Sequence, residues 1–227
     1  MPHYTLYGFN NSASTSIHWI LAELAPLGAT YDIVDINLRA GEQKAASYLA
    51  LNAKGRVPTL TFDNGKPVTE TGAIAALLAE AYPAAKLAIT SAEGFDAHAF
   101  YLETLVYVLN SHLPAMRDWM YAGKDGAEKY AHGVRLFTLP RLKANFEFFD
   151  KQLAKTQFIA GDRPTIADFI FAPTVTWAKG LDVIAVRYPN LKAYLARMRA
   201  RDSWKAVLAR EGVDPQLADW EKPYLEL

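Results

Sequence analysis

The chain has 227 residues, 51% of them hydrophobic and 21% charged, enough apolar surface for one large or two small folded domains and outside the composition of disordered chains. Its 24 basic and 24 acidic side chains balance, so no overall positive field draws nucleic acid or an anionic membrane. With no cysteine it forms no disulfide or thiolate metal site and has no cysteine nucleophile. Met1-Pro2-His3 leads straight into a strand-like run, not a basic and then apolar leader. No apolar stretch is long enough to span a bilayer, and the expectation is a cytoplasmic protein. The basic residues between Arg187 and Arg210 read as the solvated face of terminal helices.

In chain order, Tyr4-Thr5-Leu6-Tyr7 is rich in β-formers and predicts a strand. A polar loop, Gly8 to Ser14, follows. From Ser16 the spacing of Ile17, Ile20, Leu21 and Leu24 predicts a helix, closed by Pro26 and Gly28. Tyr31 to Ile36 alternates as a second strand. Glu42 to Ala50 is a short helix or irregular turn, and Pro58 to Phe62 a third strand. Asn64-Gly65 signals a hairpin into a fourth strand, Lys66 to Thr69. A helix from Glu70 to Ala81 ends at Tyr82-Pro83. The order βαβ, linking helix, ββα resembles that of a thioredoxin-like domain, expected at residues 1–82. Residues 83–89 read as a linker. Residues 90–227 give helical signals throughout and are expected to form an all-helical C-terminal domain. Its helices are Ser91 to Met120, bent at Pro114; Glu128 to Leu153, kinked or split at Pro140; Thr165 to Lys179, with Pro173 inside; one from Tyr188-Pro189 to about Arg201; and Ser203 to Arg210.

Three segments carry chemistry. A cis Val57-Pro58 bond would turn the Val57 backbone outward at the sheet edge, where its N–H and C=O can pair with an extended peptide. A trans proline would merely begin the strand. Glu70-Thr71 opens a helix whose free N–H groups and positive dipole end suit a carboxylate, while Glu70 suits an ammonium. Together they match an α-amino acid head group; taken alone they read as an ordinary helix cap with a dipole-favourable glutamate, and the Val57-Pro58 segment reverses that reading. The loop Asn10 to Ser16 puts hydroxyls at the start of the first helix, where a donor and the helix dipole can stabilise a bound thiolate. Some of these residues are N-caps. Ser16 is read as structural, and Ser12, Ser14 and Thr15 compete for the chemical role. Thr165-Ile166-Ala167-Asp168 reads as a capping-box variant in which the Thr165 side chain caps the Asp168 N–H and Asp168 reaches back. The histidines, His18 and His112 among them, show no metal spacing, and no metal is expected.

Val57-Pro58 with Glu70-Thr71, followed by Gly161-Asp162-Arg163-Pro164-Thr165-Ile166-Ala167-Asp168, resembles the cytosolic, bacterial-like glutathione S-transferases of the serine type. Leu6-Tyr7 through Ala22-Glu23 is similar, without gaps, to the first strand and helix of the zeta, theta and beta classes. On that register Ser12 falls at the catalytic serine of the zeta and theta types, and Ala13 falls where the beta class has its cysteine. The resemblance implies Ser12 as first choice of catalytic residue, Ser14 as second and Asn11 as helper. Tyr4 and Tyr7 are alternatives that fit strand packing better. Glutathione is implied as co-substrate, bound through Val57, Pro58, Glu70 and Thr71. Lys44 reaches its glycine carboxylate, with Glu42, Gln43 and Lys54 in the same stretch. The hydrophobic electrophile is expected between the domains, against Tyr107, Ser111 and Trp177, with Asn110 and Pro114 on the same stripe. The departures are Thr71, where serine is commoner, and an insertion-like Trp119 to Gly123 stretch read as a lid or as a modification of the co-substrate pocket.

The resulting expectation is a homodimeric, cytoplasmic transferase that conjugates glutathione to a small hydrophobic electrophile, with no nucleic-acid or membrane partner. A glutathione-dependent isomerase, dehalogenase or peroxidase, or a non-catalytic binding or scaffold protein, are the alternatives.

Overall fold

The structure, a computed structural model, describes residues 2–63, 65–123, 128–175, 177 and 188–212. Asn64 of the expected hairpin turn, Lys179 at the expected end of a helix, and Arg187 at the head of the basic stretch lie outside the described residues. The described residues divide into two compact units, one up to residue 88 together with 201–212, the other covering 89–200.

The first unit is built on four strands, β1 (His3–Gly8), β2 (Thr30–Asp35), β3 (Thr59–Thr61) and β4 (Pro67–Thr69), in the order β2-β1-β3-β4. The β1–β2 pair is parallel and joined through helix α1 (Ser14–Leu24); β1–β3 and β3–β4 are antiparallel. This is the thioredoxin-like half expected from the sequence. Strand alternation buries Tyr4, Leu6 and Gly8 on one face of β1. Ile17, Ile20 and Leu21 of α1 and Ile74, Ala75 and Leu78 of α3 (Thr71–Ala81) join Leu6 and Leu60 in one core. The Glu42 to Ala50 stretch resolves into a 3-10 turn, Glu42–Lys44, and a single helical turn, α2 (Ala46–Leu49).

The unit also takes in the last helix, Asp202–Glu211, so the division into residues 1–82 and 90–227 is not the one the contacts draw. The cause is visible on α1, which is buried on nearly every side and not along one stripe. The Trp204 ring lies 4.3 Å from the Trp19 ring, Trp19 Nε1 donates to Ser203 Oγ at 2.9 Å, and Arg201 pairs with Glu23.

The second unit holds α4 (Phe95–Tyr107), α5 (Leu113–Tyr121), α6 (Ala131–Leu153), α7 (Ile166–Val175) and α8 (Pro189–Arg199); Asp202–Glu211 is hereafter α9. The single bent helix expected over Ser91 to Met120 is instead two helices joined by a π turn, Val108–His112. Pro114 has no N–H to give and its ring crowds the carbonyl four residues back, so the preceding turn widens; Leu113 N–H bonds Val108 C=O. Pro140 behaves differently. The helix runs unbroken through it, correcting the expected split. Trp119 to Gly123 is no lid: it is the last turn of α5 and its exit, with Trp119 and Ala122 buried. The core is aromatic, with Phe149 4.3 Å from Phe171 and His112 4.6 Å from Phe171.

The start of α7 is tied differently from the expected box. Asp168 N–H bonds the Thr165 carbonyl (2.9 Å), not its hydroxyl. The hydroxyl instead donates to Asp168 Oδ2 (3.0 Å), as does Thr165 N–H (2.8 Å), while Asp168 Oδ1 accepts Ile159 N–H (3.0 Å). One buried carboxylate thus joins the loop before α7 to the helix. Burial nonetheless pushes its pKa up to about 6, against the lowering effect of those hydrogen bonds.

Candidate active site

One row of the sheet organises the site. Tyr7 of β1 faces Thr59 of β3, and Thr59 faces Thr69 of β4. Above that row, three segments leave the sheet at the same end: the loop after Gly8, the Val57-Pro58 segment that enters β3, and Glu70-Thr71 that leaves β4 for α3. Residues far apart in sequence are collected there by strand register alone.

At the first segment, Ser12 and Ser14 are both buried and their hydroxyl oxygens lie 2.6 Å apart. Ser12 Oγ is 2.6 Å from the Phe9 carbonyl and accepts Ser14 N–H at 3.2 Å. Ser14 Oγ accepts Phe9 N–H at 2.9 Å and lies 3.0 Å from the Phe9 carbonyl. The two hydroxyls therefore hold the loop onto α1 while keeping protons that can be turned toward a ligand. A side chain at Gly8 would meet Ser14 Cβ and Oγ at 2.7 Å, which is why glycine stands at the end of β1. Asn11 is exposed, with φ of +53°. The remaining hydroxyls have other duties: Thr15 Oγ1 donates to Glu211 Oε2 at 2.8 Å, and Ser16 is fully buried.

Glu211, the last residue of α9, carries no signal of its own in the sequence. Its Oε2 also accepts Asn11 N–H (3.1 Å), its Oε1 lies 2.9 Å from His18 Nδ1, and its carbonyl accepts the Asn10 amide (2.7 Å). The Glu211 and His18 side chains are only 8% and 4% exposed, so this pair is shielded from water. No local signal could have found a partner some two hundred residues away.

At the second segment the Val57-Pro58 bond is cis. The Arg56 carbonyl just before it accepts from Tyr48 Oη (2.8 Å) and the Asn52 amide (2.6 Å), and both also reach Thr59 Oγ1. Tyr48 and Asn52, missed from the sequence, thus fix the approach to β3. Among the described residues no backbone group pairs with the half-buried Val57, which lies outside the ladder of β3. Lys44 ends its 3-10 turn beside this loop: a side chain at Gly55 would meet Lys44 Nζ at 2.9 Å.

At the third segment Glu70 adopts φ 75° and ψ 120°, a backbone that side-chain-bearing residues rarely take and that tends to mark functional turns. No side chain among the described residues caps the start of α3, and its first turn holds no acid. The first N–H groups of α3 and the buried Thr71 are therefore available to an anion. Glu70 is exposed and paired with Lys54, whose Nζ also donates to Thr69 Oγ1 at 2.9 Å.

Tyr4 is fully buried and its pKa is raised, chiefly by burial, which keeps the phenol protonated; Tyr7 is half-buried with its ring 6.5 Å from Tyr48. In the second unit, Tyr107 Oη donates to Asn145 Oδ1 at 2.5 Å, with its pKa raised by burial, and Asn145 Nδ2 reaches the Ser111 carbonyl at 3.5 Å. Trp177 is partly exposed. Among the described residues no group of three or more His, Asp or Glu could hold a metal ion.

Comparison with known proteins identifies the family. The family model "Glutathione S-transferase, N-terminal domain" matches residues 2–80, and "Glutathione S-transferase, C-terminal domain" matches residues 134–197, between them more than half of the chain. A maleylacetoacetate isomerase of Pseudomonas aeruginosa is 25% identical over 85% of this chain and 88% of its own length. Glutathione S-transferase GstA of Escherichia coli O157:H7 is 26% identical over 82% and 89%. Among solved structures, a sphingomonad glutathione S-transferase complexed with glutathione is 26% identical with a TM-score of 0.77, covering 92% of this chain and 100% of that one. A Sulfitobacter glutathione transferase homolog superposes with a TM-score of 0.81 at 24% identity over 94% and 100%, a likeness of fold.

Proposed function

We propose a function that proceeds from one fact, that this chain belongs to the glutathione S-transferase family. It conjugates the glutathione thiolate to a small hydrophobic electrophile. The observation that carries this is the Tyr7–Thr59–Thr69 row, which brings a hydroxyl pair, an unpaired backbone segment and an uncapped helix start to one end of the sheet. These match the three parts of the tripeptide. The α-carboxylate of the γ-glutamyl group takes the open N–H groups and hydroxyl at Thr71, and its ammonium takes Glu70. The cysteinyl backbone pairs with Val57 beside Pro58 as an added strand. Lys44 meets the glycine carboxylate.

The thiol then lies toward the start of α1. Ser12, or Ser14 beside it, donates a hydrogen bond to the sulfur, with Asn11 as helper. That bond and the helix dipole favour the thiolate. The sulfur lone pair forms the new bond to an electrophilic carbon, and the displaced pair leaves with the leaving group or moves into the electrophile's π system. The thiol proton passes to solvent. The helical unit supplies co-substrate contacts from Tyr107, Ser111 and Trp177. The protein acts as a cytoplasmic homodimer.

Relatives named maleylacetoacetate isomerase support a second reading, glutathione-dependent isomerisation, in which the same thiolate adds to a double bond and is later expelled. A scaffold role finds less support, since the uncapped α3 start and unpaired Val57 are features of a site still open to a ligand. Calorimetric titration with millimolar glutathione tests the reading: saturable heat is expected, and none would refute it. Turnover of aryl halides against cis–trans isomerisable enones then separates conjugation from isomerisation.

A further inference from the structure

Helix α1 begins with no acid in its first turn, and the side chain on its first N–H, that of Ser12, is neutral. The acid comes instead from the far end of the chain. Glu211 places one carboxylate oxygen on Asn11 N–H (3.1 Å) and Thr15 Oγ1 (2.8 Å), and the other against His18 Nδ1 (2.9 Å). This negative group is shielded from water and occupies the same positive helix end that, on the reading above, favours the ligand thiolate. Two anions drawn to one helix end repel, and the charged form of the second is disfavoured.

We propose that Glu211 is a positioning residue that sets the ionisation of bound glutathione: it fixes the loop carrying Ser12 and holds the thiol pKa above the value the helix start alone would give. The inference rests on glutathione binding at this site. The groups facing the Glu211 carboxylate are His18 on α1 and, lining the same small cleft, Asp35 at the end of β2 and Arg210, which are paired at 2.7 Å. Tyr31 stands edge-on to His18 with ring centroids 6.0 Å apart, its pKa raised by burial and its hydroxyl uncharged at neutral pH. Asp35 is already matched by Arg210, so the charge answering Glu211 is that of His18 when protonated.

A thiol of lower pKa is ionised at lower pH but is a weaker nucleophile once ionised. Glu211→Gln keeps an oxygen for Asn11 N–H and Thr15 and removes the charge. Three readouts follow: glutathione binding by calorimetry, the ultraviolet absorbance of the bound thiolate against pH, and the pH–rate profile. Glu211→Gln is expected to bind glutathione within about three-fold of wild type and to lower the thiolate midpoint by about half a pH unit. Its rate profile crosses that of wild type, roughly two-fold faster below the midpoint and roughly two-fold slower above it. His18→Gln, which keeps the carboxylate and removes the imidazole, leaves the midpoint at or above wild type. An unmoved midpoint in a folded, glutathione-binding Glu211→Gln, or a lowered one in His18→Gln, overturns the proposal alone. Absence of any thiolate band in wild type with glutathione bound overturns the conjugation reading and this proposal with it.

Discussion

The two hydroxyls at the start of α1 can be separated experimentally because the structure gives them different burdens. Ser14 Oγ accepts Phe9 N–H at 2.9 Å, so Ser14→Ala strands a part-buried backbone donor and costs about 1–2 kcal/mol of stability. Ser12→Ala loses a bond to the Phe9 carbonyl, which still has Ser14 Oγ at 3.0 Å, and uncaps Ser14 N–H; the cost is about 1 kcal/mol. The functional effects should rank the other way. If Ser12 donates to the thiolate, a hydrogen bond to a charged group worth about 1.5–3 kcal/mol disappears, and the thiol pKa rises by about one to two units. Turnover at pH 7 then falls roughly 10- to 100-fold, while the KM for glutathione, set by the distant head group, stays within about three-fold. Steady-state kinetics on a chromogenic electrophile, the thiolate absorbance of the complex and a urea melt of each variant measure all three quantities. A Ser12→Ala protein with wild-type turnover and thiolate midpoint refutes the assignment. A Ser14→Ala protein that melts like wild type yet has lost turnover transfers the role to Ser14.

Glu70→Gln should raise the KM for glutathione about ten-fold or more with kcat little changed, because the ammonium contact is the same in ground and transition states; a fall in kcat at constant KM would contradict this. Its melting point should hardly move, since the Lys54–Glu70 pair is exposed and such pairs contribute little. Burial holds His112 at a pKa of about 3, below the ordinary 6.5, so its contribution to stability is present above pH 6.5 and is lost as pH falls and the unfolded chain takes up the proton. Urea melts at pH 8 and pH 5 should show the wild type losing about 2 kcal/mol from this group, a loss absent in His112→Phe, where the Thr174 hydroxyl keeps the Ile170 and Phe171 carbonyls. Asp168 runs the other way. Its pKa is raised to about 6, so its contribution is full below 3.8 and is lost as pH rises through 6; the stability gap between wild type and Asp168→Asn should narrow by about 2–3 kcal/mol from pH 4 to pH 7.

What was legible in the sequence was whatever local pattern controls. Alternation and turn residues marked the four strands, and helical spacing marked α1 and α3, because a half-buried strand and a helix face impose their periods on the residues themselves. Val57-Pro58 was legible as a choice between two isomers but not as the cis one, since the same two residues are compatible with either. The prolines show the same limit. Pro114 widens the turn before it into a π turn while Pro140 leaves α6 continuous, and one missing N–H can be accommodated in either way.

The parts of the site that stayed hidden are those supplied from a distance, and they share one source. Trp204 stacks on Trp19, Ser203 takes the Trp19 N–H, and Glu211 takes the start of α1. Each contact joins residues more than 180 positions apart, where no sequence window can register a pattern. Yet the same contacts explain why α1 lacks a polar face: a helix covered by sheet on one side and by α9 on the other has no solvated stripe to show. Glu211 brings to the start of α1 the carboxylate that its first turn lacks. The unit that carries the candidate hydroxyls is not closed until the final described helix is in place.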